Sequence, residues 1–249
     1  MEDTPLIESS ELKTAKEKYS QFLVEARRRL IFTLCVFATA TLAGFFFYEK
    51  IIRFLIDILS LEGINIVFTS PFQFISLAIS CGIAFGLIVS FPLLVVQILS
   101  FVKPALRKIE YKMVIRLLPL SLLLFLTGLI FGFFIMKWQI KIFLDRSLAL
   151  GIGNILDISR LLTTVLMTSV LMGIGFEFPI LLNLLLRLGV VKHQQLAKIR
   201  PWIYLGSFVF AILLPADSIL ADILLSVPLI ILFEITLILS KIQKVKPSL

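Results

Sequence analysis

Glu177 lies inside an apolar stretch, Gly173-Ile174-Gly175-Phe176-Glu177-Phe178-Pro179. On insertion scales a carboxyl at the centre of a membrane helix costs about 2.5–3.5 kcal/mol, so by default it marks a site facing a wet cavity or a bundle interior. The plainer alternative is a buried hydrogen bond to a neighbouring helix. Pro179 has no N–H for the Gly175 carbonyl and its ring pushes against that oxygen, which predicts a kink beside the carboxyl. Glu25 precedes Arg27-Arg28-Arg29, and Glu110 closes Pro104-Ala105-Leu106-Arg107-Lys108-Ile109-Glu110. Taken singly, each reads as a solvated ion pair of little energetic weight. Taken together, they offer two carboxylates on one membrane face that could accept guanidinium groups in bidentate fashion. Glu234, in Leu232-Phe233-Glu234, is about two turns from Lys241 and is expected to snorkel toward the interface as a structural residue.

Catalytic constellations are absent from the sequence: there is no GxSxG, Walker A or HExxH pattern, and His193 is the one histidine. Cys35 and Cys81 each fall in apolar runs and behave as small hydrophobes. No metal, cofactor, nucleotide hydrolysis or acyl transfer is therefore expected. Energy for any transport must come from partners or the membrane potential.

The elements that must position these carboxylates are long apolar runs. Of the 249 residues 59% are hydrophobic and 16% charged, and the mean hydropathy is +1.05. A soluble domain has about 45–50% apolar and about 25% charged residues, so the bilayer must solvate much of this chain. Six spans are expected: Leu30–Tyr48, Phe72–Leu99, Met113–Met136, Leu161–Leu186, Trp202–Leu214 and Ile219–Leu239. The fifth is short of the roughly 30 Å hydrocarbon core, and Pro215-Ala216-Asp217 separates it from the sixth. The stretch from Lys137 to Ser159 suits an amphipathic helix at the outer interface. No internal repeat or low-complexity segment is evident.

Orientation follows from the basic residues. Alternate polar segments hold 18 of the 24 Lys and Arg, including both tails. The positive-inside rule then puts both termini in the cytoplasm and supports an even number of spans. The same placement accounts for the net charge of +8 without nucleic acid. The domain plan is a tail over 1–21, a membrane domain over 22–240 and a tail over 241–249. The arginine cluster before the first run has the form of a secretory leader, but the run's length and the later spans favour a retained signal anchor.

In order along the chain, Phe22-Leu23-Val24-Glu25-Ala26-Arg27-Arg28-Arg29-Leu30 is similar to HLxELRxRL, and Gln97 through Glu110 to QxWxFxxPxLxxxE. Ser70-Pro71-Phe72, Phe176-Glu177-Phe178-Pro179, Arg200-Pro201-Trp202, Pro215-Ala216-Asp217, Pro228 and Phe233-Glu234 complete the series. From about Gln21 to Ser240 the chain resembles the TatC subunits of twin-arginine protein translocases. The resemblance implies an all-α membrane protein of six helices in a concave bundle, the fifth and sixth short, in a plasma membrane. It implies that Glu25 and Glu110, with Arg27 and Arg29 in the same block, receive the paired arginines of signal peptides on folded cargo. Glu177 and Pro179 would face the cup, where the signal or a partner helix inserts. TatA- and TatB-type single-span proteins would pack near the turn at Pro215 and Asp217, and the chain would self-associate. Departures fall at Phe22, Ala26 and Leu99, and at Leu214, Ala216 and Ala221, where the family's polar cluster is eroded. The competing function is a small-solute or proton-coupled transporter with Glu177 as its proton carrier. Against it stand the lack of an inverted repeat and the few polar residues within the spans.

Overall fold

In hydrocarbon every backbone polar group must be satisfied internally, so apolar runs of this length fold as helices. The computed structural model describes residues 4–59, 65–67, 70–102, 117–150, 155–187, 191, 193–216 and 218–245. Within them α1 spans Thr4–Phe46, α2 Tyr48–Leu59, α3 Gln73–Val102 and α4 Leu117–Ala149. α5 (Ile158–Gly175), α6 (Phe178–Arg187), α7 (His193–Lys198), α8 (Arg200–Leu213) and α9 (Ile219–Val245) follow. Two short strands, β1 (Asn65–Val67) and β2 (Ile155–Asp157), pair in parallel with Asn65 beside Ile155.

Five stretches are long and apolar enough to cross a bilayer: Leu23–Phe46, Gln73–Phe101, Leu117–Ser147, Ile158–Leu186 and Ile219–Leu239. α8 is the shorter sixth, at 14 residues, or about 21 Å of rise. The expectation of two short final helices thus fits α8, whereas α9 runs to 27 residues. Its apolar pattern persists through Pro228 and the helix continues into the basic tail. α1 likewise passes unbroken through residue 22 into the polar N-terminal tail.

Two further elements differ from the sequence reading. Lys137 does not open a separate interfacial helix. α4 continues to Ala149, no Gly or Pro interrupts Phe133–Leu150, and the Lys137 ammonium donates to the Ile58 carbonyl at 2.6 Å. The amphipathic interfacial element is instead α2, which turns Leu55 and Leu59 into the core and leaves Glu49, Lys50, Arg53 and Asp57 exposed.

Close helix packing depends on small residues. A Cβ on Gly82 of α3 would stand 2.8 Å from the Thr41 carbonyl oxygen of α1, and one on Gly132 of α4 would stand 2.8 Å from Ser169 Cα of α5. α5 lies between α3 and α4, while α9 packs on α8, α6 and α4. At one end of the bundle, here the basic end, Leu182, Leu196, Phe233 and Leu237 form a cluster, and Leu99 meets Leu184. At the opposite end, the cap end, Leu55 and Leu59 of α2 pack with Leu77, Met136 and Ile158, and Ala216 leans on the same cluster. The Gln73 amide donates to Asp157 Oδ2 at 2.6 Å, fastening the start of α3 to β2.

Candidate functional site

At the basic end, α1 presents Glu25 and Arg29 one turn apart. Arg29 Nε and Nη2 both donate to Glu25 Oε1, at 3.1 and 2.6 Å, while Nη1 donates to the Gln97 carbonyl of α3 at 3.1 Å. The guanidinium therefore holds the carboxylate on one side and ties α1 to the end of α3 on the other. Glu25 is half exposed and Arg27 is exposed. Beside this pair a groove of ≈ 540 Å³ runs between α1 and α3, lined by Ala26, Arg29, Thr33, Ser90, Gln97 and Phe101 among others. Glu110 lies outside the described residues, so its position relative to Glu25 is not part of this geometry.

Glu177 sits where the fourth span breaks. α5 ends at Gly175, α6 begins at Phe178, and Phe176 and Glu177 form the turn between them. The Glu177 N–H reaches only the Ile174 carbonyl, at 3.1 Å, a tightened turn in place of the helical bond. The predicted kink is present, and Pro179 in the first turn of α6 is its local cause. The side chain is 8% exposed. Its Oε1 accepts from Ser121 Oγ at 2.9 Å, and Oε2 has no partner. The carboxyl lines a cavity of ≈ 620 Å³ walled by α3, α5, α6, α8 and α9, whose other residues include Phe91, Leu181, Trp202, Ser207 and Phe210. Glu177 thus lines a cavity and also bonds a neighbouring helix. The cavity is nearly all apolar, so it suits a hydrophobic segment with one polar contact better than a hydrated solute.

Glu234 does not snorkel toward Lys241. Tyr204 Oη donates to its Oε1 at 2.5 Å, and Arg200 Nη2 lies 3.3 Å from its Oε2. These partners sit at the start of α8, so the carboxylate fastens α8 to α9, which agrees with its structural assignment. At the cap end Pro215 is exposed, whereas Asp217 lies outside the described residues. Leu214 and Ala221 are buried with Met172 and Leu225, so the eroded polar positions have become core.

Sequence reasoning missed three polar residues, Ser121, Tyr204 and Asp222, and read Gln97 only as the start of a motif, not as the backbone partner of Arg29. Asp222 is 8% exposed, with Oδ1 unpartnered, in the first turn of α9. An acid embedded in Ile219-Leu220-Ala221-Asp222-Ile223 is itself a signal. Ser121 and Gln97 have no such signature, because their roles arise from contacts across the bundle.

The structure places the two candidate carboxylates on separate features: Glu25 is paired with Arg29, which lines the α1–α3 groove, and Glu177 lines the apolar cavity. Ala26 and Leu99, two of the departures from the motifs, line or approach these features with apolar side chains. The sequence profile described as Sec-independent protein translocase protein (TatC) matches residues 21–228. The chain is 31% identical over 237 residues to the Sec-independent protein translocase protein TatCy of Bacillus subtilis (strain 168), covering 92% of this chain and 91% of that protein. It is 30% identical over 230 residues to the Sec-independent protein translocase protein TatC of Aquifex aeolicus (strain VF5), covering 90% and 94%. A crystal structure described as Twin Arginine Translocase Receptor- TatC in DDM superposes with a TM-score of 0.78 at 29% identity, covering 88% of this chain and 98% of that one. With a shared profile, relatives matched over nearly their whole length and a shared fold, the chain belongs to the Sec-independent protein translocase TatC family.

Proposed function

We propose that the chain is the membrane receptor for twin-arginine signal peptides in a translocase that exports folded proteins. The observation that carries this reading is the Glu25 carboxylate, which already accepts a guanidinium and does so, among the described residues, through one of its two oxygens. An arriving arginine presents the same planar fork, which a lysine ammonium cannot imitate. Glu110 is the second acceptor, and Arg27 contacts the peptide backbone or cargo-side acids. The apolar segment of the signal then enters the cavity beside Glu177, whose carboxyl lines the wall at the break between α5 and α6.

Both termini face the cytoplasm of a plasma membrane, a reading supported by the bias of Lys and Arg toward the basic end. Single-span TatA- and TatB-type proteins pack on α8 and α9 near Pro215 and Asp217. The short α8 supports this reading, because it leaves local mismatch that a partner helix relieves. Copies of the chain self-associate within the translocase. No cofactor takes part, and the driving force is the membrane potential.

Binding of a labelled signal peptide to the purified chain in detergent tests the proposal. Arg-Arg peptide should bind in preference to Lys-Lys peptide, and replacing Glu25 and Glu110 with Ala should abolish that preference. Undiminished discrimination in the double variant would sink the site assignment.

A further inference from the structure

A second cavity, of ≈ 730 Å³, lies toward the cap end among α2, α3, α4 and α5. Its outer rim is Phe54, Phe85, Ile130 and Phe134, and three of these are more than half exposed: Phe54 62%, Phe134 61% and Ile130 51%. Phe85, Ile130 and Phe134 belong to spans long enough to cross a bilayer, so the opening meets hydrocarbon, not water. From Cys81 to Ile88 the wall follows α3 for about 10 Å at 1.5 Å per residue, well within the roughly 15 Å hydrocarbon depth of one leaflet.

One cation lines this cavity. Lys50 stands on the same stripe of α2 as Phe54 and Ile58, at the helical spacing of four. Among the described residues it makes no ion pair; its Nζ lies 5.3 Å from the centroid of the Phe47 ring. Glu49, Arg53 and Asp57 of the same helix are exposed and do not line the cavity. α2 begins two residues after the first span ends at Phe46, which sets Lys50 at headgroup depth, and its aliphatic stem allows the ammonium to reach the polar layer.

We propose that this groove holds one tail of an anionic phospholipid, with Lys50 bound to the lipid phosphate and the rim of Phe54, Phe85, Ile130 and Phe134 around the chain. The cation singles out an anionic headgroup because the remaining lining is apolar apart from Ser169, whose hydroxyl donates to the Val165 carbonyl, and offers a zwitterionic lipid no compensating partner. The inference does not depend on signal-peptide recognition or on which side of the membrane the cap end faces.

The test is fluorescence quenching in vesicles. A single tryptophan is placed by Phe134→Trp in a chain carrying Trp138→Phe and Trp202→Phe, and brominated-tail phosphatidylglycerol or phosphatidylcholine is added at equal mole fraction. Phosphatidylglycerol should quench at about five-fold lower mole fraction, the preference expected from one basic residue at a headgroup surface. Lys50→Gln should remove the preference and Lys50→Arg should keep it. Equal quenching by both lipids, or a preference that survives Lys50→Gln, overturns the proposal, as does no quenching by either. Native mass spectrometry on the unmodified chain and on Lys50→Gln gives a second readout, free of the tryptophan changes. Retained phosphatidylglycerol should be present in the first and depleted in the second, and equal retention overturns the proposal.

Discussion

Arg29 grips Glu25 by a single oxygen: both its Nε and its Nη2 donate to Oε1, and neither donates to Oε2. The third nitrogen donates to the Gln97 carbonyl on α3, so the pair is fixed across two helices and not merely along one. Such a pair presents an oriented acceptor. A freely rotating glutamate would lose more entropy on binding the same ligand.

This relationship separates binding from stability. The i,i+4 pair is worth about 0.3–0.5 kcal/mol and the part-buried bond to the Gln97 carbonyl adds to it, so Arg29→Ala should lower the unfolding midpoint in detergent only modestly. Affinity for an Arg-Arg signal peptide should fall further, by roughly 5-fold, on the order of the 1.5 kcal/mol lower bound for a charged hydrogen bond less relaxation. Arg29→Lys should recover part of the loss. Peptide anisotropy titrations alongside thermal melts check both halves, and a loss of stability matching the loss of binding would contradict the positioning role.

The buried pair should behave in the opposite way. Ser121 supplies the one hydrogen bond of the Glu177 carboxyl, whose other oxygen has none. Ser121→Ala should therefore destabilise the chain by about 1–3 kcal/mol, the cost of leaving a buried polar group unmet. The same change in a Glu177→Leu background should cost much less, since no acceptor remains to be orphaned. A double-mutant cycle on denaturant unfolding measures the difference, and additive costs would show that the bond contributes nothing.

The break in the fourth span makes a geometric prediction. Pro179→Ala restores an N–H that can reach the Gly175 carbonyl, so α5 and α6 should move toward one continuous helix. Spin labels at Arg160 and Leu181, both exposed, should then move apart. Export of an Arg-Arg reporter should fall as Glu177 turns away from the cavity. An unchanged label distance would assign the break to Gly175 and the surrounding packing instead.

How far the sequence reached depends on the range of the interaction involved. The spans and the kink at Glu177 follow from local quantities, run length and the chemistry of Pro179, and both are present. α2 escaped notice because 12 residues of mixed polarity resemble a loop until Leu55 and Leu59 find Leu77 and Met136. The three-residue strands carry too little pattern to read. Lys137 looked like the end of a membrane helix, yet a carbonyl 79 residues away satisfies it. At the basic end the Glu25 motif was legible, but the tie from Arg29 to Gln97 spans 68 residues and leaves no local mark.

Glu234 offers the same lesson in testable form, because its partners lie 30 and 34 residues away on α8. At 14 residues α8 is too short to be held by the bilayer alone. It is anchored near its end by Ala211 in the core and at its start by Tyr204 and Arg200 on Glu234. Glu234→Gln keeps an acceptor for the Tyr204 hydroxyl and loses only a partly exposed ion pair, so the melting temperature should drop slightly. Glu234→Ala removes both and leaves the Tyr204 hydroxyl and the Arg200 guanidinium without partners at a helix interface. It should cost about 1–3 kcal/mol and loosen α8 selectively, so amide hydrogen exchange should rise over Ile203–Phe210 before it rises in α5. Tyr204→Phe should fall between the two. Equal exchange in α8 for Glu234→Gln and Glu234→Ala would mean that core packing, not this latch, holds α8 in place.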